Sequence, residues 1–197
     1  GRFVAHIERL DEQDGFSLHA DVVLVASGFA PYDPAENPAF RRGQRDMRNL
    51  VTGLELEQQL GGDRLAIRRP SDGQPPRSVA FVQCVGSRSE YAHRAPDRTN
   101  YCSSVCCGYA LRLGRLLKHL SPELDVTVFY MDIQRFGRNF DRFYNTCKRQ
   151  MRFVRARPQE FEPADGDGIA VRYERQGENR TARETFDMVV LSVGMRP

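Results

Sequence analysis

The stretch "SVAFVQCVGSR" (residues 78–88) decides the fold, because a continuous apolar run ends there at a turn that contains glycine. Such a run is typical of a strand buried on both faces of a parallel sheet. A helical pattern follows in "SSVCCGYALRLGRLLKHL" (103–120). Next come a strand, "DVTVFYMDI" (125–133), a helix, "RFGRNFDRFYNTCKRQ" (135–150), and a strand, "MRFVRARP" (151–158). This alternation predicts a three-layer, Rossmann-like α/β unit with a parallel sheet.

Both predicted helices are amphipathic. The first places one set of residues on a single face: Val105, Cys106, Tyr109, Leu113, Leu116, Leu117 and Leu120. The second does the same with Phe136, Phe140, Phe143 and Tyr144, and Cys147 continues that face as a buried structural thiol. Basic residues surround these aromatics, which is also a pattern of nucleic-acid binding, but the helical spacing favours a solvated basic face and no nucleic-acid partner.

Two distant segments share one pattern. "ADVVLVASGFAP" (20–31) and "FDMVVLSVGMRP" (186–197) each run from an acid through an apolar strand to glycine and proline. Strand-like alternation precedes each of them, so the pattern predicts a three-stranded β-meander that leads into a buried strand, used twice. Two such units in the same order suggest paired, related domains of a larger chain. Between them, Thr52 and Glu55 have the spacing of a capping box for a short helix.

Composition narrows the class of protein. The chain has 197 residues and a net charge of +3. It has no start methionine, which suggests a segment of a longer protein. It contains no apolar run approaching the length of a membrane span and no signal-peptide pattern. Five cysteines are an odd number, and their spacing is not that of a small secreted disulfide scaffold. A reducing, cytoplasmic location is therefore predicted.

The cysteines are concentrated at one place in the predicted fold. Cys84 lies at the carboxyl end of the first strand, and Cys102, Cys106 and Cys107 surround the start of the following helix. Cys107 is rotated by about 100° from its neighbour on a regular helix, so ligation by both requires a widened first turn or a group that straddles the helix end. Four cysteines can complete an iron–sulfur cubane, whereas structural zinc prefers two C-x₂₋₄-C pairs. The pattern leaves iron–sulfur, zinc and a redox or inert thiol group open.

The turn after the first strand lacks a dinucleotide fingerprint. It reads "CVGSRSE" with Gly86 alone, where G-x-G-x-x-G would bring the backbone close to a pyrophosphate. Asp132 ends the second strand at the position of a ribose-binding acid, but without the glycines it is interpreted as an ordinary strand-end acid. The sequence predicts no binding of NADH or NADPH.

The motifs "RPSDGQPPRSVAFVQCVGSRSE", "YCSSVCCGYALRL" and "DVTVFYMDIQRFGRNFDRFY" resemble the A-type flavoprotein subunit of heterodisulfide reductase and the related subunits of quinone-interacting oxidoreductase complexes. The resemblance implies a thioredoxin-reductase-like pair of domains, with FAD bound mainly by the other domain. It implies that the second, degenerate pyridine-nucleotide domain holds a [4Fe–4S] cluster through Cys84, Cys102, Cys106 and Cys107. Partner subunits of such a complex are implied as well, without direct membrane insertion, and a homodimer is left open.

The resemblance also assigns segments and flavin-side residues. Residues 1–34 match the end strands of an FAD-binding domain, 35–76 a connector with a short helix, and 77–197 a Rossmann-like iron–sulfur domain. Ser27, Gly28 and Phe29 match the strand-end element beside FAD, with a simple strand-to-loop turn as the alternative. Arg112 stands where many members have a lysine close to the flavin, and its fixed charge would favour reduced, anionic flavin. The "RSEYAHRAPDRTNY" loop (88–101) is predicted to be mobile.

Overall fold

The computed structural model describes residues 2–8, 15–36, 40, 47–61, 65–88, 101–158, 160–175 and 180–196. Most of the loop predicted to be mobile, residues 89–100, lies outside the described residues. The strands in chain order are β1 (Phe3–Ile7), β2 (Phe16–Ala20), β3 (Ala30–Pro31), β4 (Leu50–Thr52), β5 (Ser78–Val85), β6 (Asp125–Tyr130), β7 (Arg152–Arg155), β8 (Glu160–Ala164), β9 (Gly168–Arg175), β10 (Arg180–Phe186), β11 (Met188–Val193) and β12 (Met195–Arg196). The α-helices are α1 (Gly53–Leu60), α2 (Cys106–Leu120) and α3 (Phe140–Gln150). Within the described part of the chain, none of them combines the length and apolar character needed to cross a bilayer.

A five-stranded parallel sheet forms the centre of the fold, in the order β4-β11-β5-β6-β7. The helices cover one face and the antiparallel meander β8-β9-β10 covers the other. Alternate residues of β5 show the division: Phe81 packs with the helices, whereas Val82 packs with the meander. The prediction of a three-layer, Rossmann-like α/β fold with a parallel sheet and a β-meander is confirmed.

The segment assigned to the connector contributes to this sheet. β4 pairs with β11 as an edge strand, and α1 follows it at once. The predicted capping box is present, because the backbone N–H of Glu55 donates to Thr52 Oγ1 at 3.2 Å and the Thr52 N–H donates to Glu55 Oε2 at 2.6 Å. The cap fixes the point where the chain turns from strand into helix.

The predicted helix faces are wrong at three residues. Val105 and Leu116 are exposed, whereas Ala110, Leu111 and Gly114 are buried. The reason for Val105 is that α2 begins one residue later, so Val105 is its N-cap. Phe136 is 60% exposed because it precedes α3 and is separated from it by a turn at Gly137 and Asn139, both with positive φ.

The predicted buried strand at residues 20–31 is wrong for most of its length. Residues 22–29 have no regular secondary structure, and the side chains of Val22 and Leu24 are 80% and 89% exposed. Only β3, at the end of the segment, pairs with another strand, and its partner is β12. In place of the predicted three-stranded meander, the described residues before this segment form a two-stranded hairpin, β1 and β2, with Phe3 and Leu18 exposed on it.

Candidate functional site

A β-bulge contains Cys84, near the carboxyl end of β5. Val82 pairs with Leu191 and Val85 pairs with Val193, so two residues of β5 lie opposite the single Ser192 of β11. Cys84 is one of those two, it is buried, and its φ is +63°. This left-handed backbone is costly for a residue other than glycine, and such strain concentrates at functional sites.

The other three predicted ligands surround the start of α2, as the sequence predicts. The helix begins at Cys106, its N-cap Val105 provides no side-chain hydrogen bond, and its first turn contains no acidic residue. Cys102 lies in the preceding loop, where the N–H of Ser104 donates to its sulfur at 3.4 Å. A helix start with free N–H groups and no acid favours thiolates and anionic groups.

Burial and interactions among the thiols shift the pKa values of Cys84, Cys106 and Cys107. Burial raises the pKa of Cys84 to about 11, and the charge of Cys107 adds to this rise. The pKa of Cys106 is raised because its thiol donates a hydrogen bond to Cys107, and burial adds to this. The pKa of Cys107 is lowered to about 7 because its sulfur accepts that hydrogen bond. Cys102 contributes to the electrostatic field at both Cys84 and Cys106.

The thiols are therefore neighbours, but they do not form a compact ligand shell. Among the described residues, no three His, Cys, Asp or Glu side chains are gathered around a point where one metal ion could bind. All five cysteines are free thiols. Cys147 is fully buried in the core between the helices and the sheet, and burial raises the pKa of its thiol.

An ion pair that the sequence analysis did not predict, between Arg88 and Asp132, links the segment that contains Cys102 to the neighbourhood of Cys107. Arg88 Nη1 lies 2.6 Å from Asp132 Oδ1, and the Asp132 backbone oxygen is 4.0 Å from Cys107 Sγ. The N–H of Arg88 donates to the Tyr101 carbonyl at 3.2 Å, next to Cys102 in the chain. The sequence pattern indicated an ordinary strand-end acid at Asp132, and the structure gives it this specific partner.

A second arginine, Arg157, is hydrogen-bonded to the backbone of Arg88. Arg157 Nη1 donates to the Arg88 carbonyl at 3.0 Å, and Arg88 has a positive φ. The positive charges of both arginines lower the pKa of Cys84 against the effect of burial. No sequence motif identifies this pair, because Arg88 and Arg157 are far apart in the chain.

Two buried serines tie the cysteine segments together. Ser87 Oγ and Ser103 Oγ are 3.0 Å apart, and the N–H of Met195 donates to Ser103 Oγ at 2.9 Å. Gly194 permits this junction, because a Cβ at that position would overlap Ser87 Oγ. Similarly, Gly86 has a φ of +72° and a Cβ there would overlap the ring of Tyr32. The lone glycine of the predicted turn thus accommodates an aromatic ring.

A cavity of about 580 Å³ brings the predicted flavin-side residues next to the thiols. Gly28, Phe29 and Arg112 line it together with Cys106 and Tyr109. Its volume is in the range of small-molecule sites. Ser27 precedes Gly28 and is exposed.

Tyr109 has a role in the cavity wall that the helical pattern, which assigned this residue to the core, did not reveal. Its hydroxyl donates to the Gly53 carbonyl at 3.1 Å and is 2.5 Å from Glu57 Oε2. Burial is the main cause of the raised pKa of Tyr109. These bonds fix α1 against α2 along one side of the cavity.

Comparison with solved structures defines the class of fold. L-lysine 6-monooxygenase from Pseudomonas syringae aligns with a TM-score of 0.51 and 12% identity over 98% of this chain and 52% of that chain. Ornithine hydroxylase from Pseudomonas aeruginosa aligns with a TM-score of 0.53 and 11% identity over 92% of this chain and 47% of that chain. A thioredoxin reductase from Lactococcus lactis aligns over 99% of this chain and 53% of its own, with 16% identity and a TM-score of 0.47. The chain has the α/β fold found in part of the monooxygenase and of the ornithine hydroxylase.

Sequence relatives are more specific. The chain is 36% identical over 191 residues to the A-type subunit of the H(2):CoB-CoM heterodisulfide,ferredoxin reductase of Methanothermobacter thermautotrophicus, covering 94% of the chain and 28% of the relative. It is 38% identical over 182 residues to an A-type iron-sulfur subunit of the CoB–CoM heterodisulfide reductase of Methanopyrus kandleri, covering 89% and 26%. No protein-family model matches. The chain is a homologue of a segment of the A-type subunit of heterodisulfide reductase, which confirms the resemblance, and it spans somewhat more than a quarter of these relatives.

Proposed function

We propose that this chain is the electron-transfer module of an FAD and [4Fe–4S] oxidoreductase of the heterodisulfide reductase type. The observation that carries the proposal is the cavity that Gly28, Phe29 and Arg112 line together with Cys106. A flavin in this cavity would lie beside the thiols, so electrons would need to travel only a short distance. The reductase names of the sequence relatives support the same class of activity.

The donor set fits an iron–sulfur group. Cys84, Cys102, Cys106 and Cys107 would hold it as thiolates, and the group would accept one electron at a time from a flavin that carries two. The start of α2, which has no side-chain cap, and the charges of Arg88 and Arg157 would compensate the negative charge of these thiolates. Arg112 would favour anionic, reduced flavin through its fixed charge.

The partners follow from the proposed function. Electrons would leave through other subunits of a heterodisulfide reductase-like or quinone-interacting complex, because the relatives are named as subunits of heterodisulfide reductases. We propose a cytoplasmic location, with membrane association through partner subunits. We also propose that FAD is held mainly by parts of the parent protein outside this chain. Residues 1–34 would complete the FAD-binding domain and residues 77–197 would hold the cluster.

Anaerobic reconstitution with iron and sulfide tests the metal assignment. We expect broad charge-transfer absorption and an electron paramagnetic resonance signal after reduction. Replacing Cys84, Cys102, Cys106 or Cys107 singly by serine should lower the iron content sharply, because serine binds iron poorly. Cys147→Ser is the matched control and should keep its iron. A colourless chain that binds zinc instead would support a structural assembly domain, and five variants that all keep iron would disprove the ligand assignment.

The flavin assignment is tested in the full-length protein. Arg112→Met should lower the flavin reduction potential, because a positive charge near the reduced flavin is lost. Arg115→Met is the control on the same helix, since Arg115 instead contacts the Phe143 ring, with 5.7 Å between its guanidinium carbon and the ring centroid. Titration calorimetry should detect no binding of NADH or NADPH to this chain, and saturable micromolar binding would contradict that prediction.

A further inference from the structure

Two buried polar side chains at the bulge have unpaired hydrogen-bonding atoms. Gln83 is 4% exposed, and neither its Nε2 nor its Oε1 has a hydrogen-bond partner among the described residues. Ser192 is 2% exposed, and its Oγ is likewise unpaired within the described part of the chain. Buried polar groups in native proteins are nearly always paired, because burial removes their bonds to water without replacement.

Both residues lie at the bulge that contains Cys84. Gln83 directly precedes Cys84, and the bulge sets these two residues opposite Ser192. The alternation along β5 places Phe81 on the helix-covered face of the sheet, and along β11 it places Val190 there. Two residues further, Gln83 and Ser192 continue toward this face. The start of α2, with Cys106 and Cys107, follows at the same edge of the sheet.

We infer that the Gln83 amide and the Ser192 hydroxyl donate hydrogen bonds to sulfur in the group that the four thiolates hold. This inference rests on the proposed function and adds two positioning residues that tune the redox potential. Hydrogen bonds to the sulfurs are among the factors that set the potential of iron–sulfur sites. A donor favours the reduced state, because reduction adds negative charge to the sulfur that accepts the bond.

The test is a redox titration of the reconstituted full chain. Dithionite supplies one electron to each iron–sulfur group, and the reduced fraction is followed by electron paramagnetic resonance. We expect Gln83→Leu to keep full iron content and to lower the equilibrium constant for reduction by about threefold to tenfold, where tenfold corresponds to about 59 mV. Ser192→Ala should shift the constant in the same direction by less.

Gln59→Leu is the matched control. Gln59 lies on α1 and also has a buried, unpaired Oε1 within the described residues, so it reports the general effect of removing such an amide. We expect its potential to equal that of the unmodified chain. In the metal-free chain, both Gln83→Leu and Gln59→Leu should raise the midpoint temperature of unfolding, because each removes a buried group without a partner.

The outcomes separate the inference from the proposed function. Unchanged potentials in Gln83→Leu and Ser192→Ala, at full iron content, would overturn the inference and leave the proposed function standing. An unmodified chain that binds no iron would overturn both. If Gln83→Leu fails to fold, Ser192→Ala decides, because the loss of one hydroxyl changes the packing volume very little.

Discussion

Residues 20–31 and 186–197 have the same sequence pattern and opposite structural outcomes. In the first, Val22, Leu24 and Val25 are at least 80% exposed and form no strand. In the second, β11 is buried between β4 and β5, with the helices on one face and the meander on the other. The comparison teaches that an apolar run has the potential to form a strand, and that neighbouring strands on both sides realise it.

The antiparallel strands that precede the two segments differ in the same way: those before the second segment pack against the sheet, and those before the first are exposed. β8, β9 and β10 form a three-stranded meander whose apolar residues pack on the parallel sheet. β1 and β2 form a two-stranded hairpin with exposed apolar side chains. An isolated two-stranded hairpin is marginal in water, so the first unit is expected to depend on further protein surface for its stability.

Large-to-small substitution at the matched positions Leu191 and Val25 should show the strongest contrast. Leu191→Ala should lower the free energy of unfolding by about 2–5 kcal/mol, because it leaves a cavity in the core. Val25→Ala should change it by less than about 0.5 kcal/mol, because the side chain is 81% exposed. Urea denaturation followed by circular dichroism measures both. Equal losses would show that the two segments are packed alike.

Substitution by alanine at the matched positions Gly194 and Gly28 should lower stability for different reasons. Gly194→Ala should cost about 1–3 kcal/mol, because the new Cβ would overlap Ser87 Oγ and approach Ser103 Oγ to 2.8 Å. Gly28→Ala should cost only about 1 kcal/mol, because its φ is +75° but the surrounding space is open.

A compensating change separates overlap from strain. Adding Ser87→Ala to Gly194→Ala should recover part of the lost stability, because it removes the overlapping oxygen. The same addition should leave the cost of Gly28→Ala unchanged. Chemical denaturation of the single and double variants gives the coupling, and full additivity at Gly194 would contradict the close approach.

The smallest expected change in stability is at Glu184, in the meander β8-β9-β10. This meander precedes only the second of the two segments. Glu184 of β10 is hydrogen-bonded to Arg152 at the start of β7, and this bond is the main cause of the lowered pKa of Glu184. Glu184→Gln should cost at most about 1 kcal/mol at neutral pH, because solvent screens these partly exposed groups.

The sign of the pH dependence follows from the direction of the shift. A carboxylate with a lowered pKa in the folded state stabilises the protein above its ordinary pKa of 4.5. This stabilisation is lost as the pH falls from about 4.5 through the lowered pKa of Glu184. The difference in stability between the unmodified chain and Glu184→Gln should therefore shrink in acid. Urea midpoints measured from neutral pH downward check this. Glu160→Gln, in an exposed pair with Arg172, is the control and should have less effect.

Much of the fold and part of the site followed from local patterns. The apolar run of β5, the capping box at Thr52 and the four clustered cysteines are features of neighbouring residues, and the structure shows the strand, the cap and the proximity of the thiols. The exposed Val105 and Phe136 were predicted wrongly because helical spacing alone does not reveal where a helix begins. Gln83 lies within the run that the sequence analysis treated as continuously apolar, and no local pattern indicated that its side chain would be buried and unpaired among the described residues.

The chain's own pattern determined the alternation of strands and helices, and with it the sheet edge at which the cysteines meet. Tertiary structure alone decided which of the two glycine-ended segments became a strand, because strand hydrogen bonds require partners that are distant in the chain. It also decided the pairing of Arg88 with Asp132 and the contact of Ser87 with Ser103. Contacts between residues far apart in sequence depend on the packing of whole elements, which short-range periodicity does not encode.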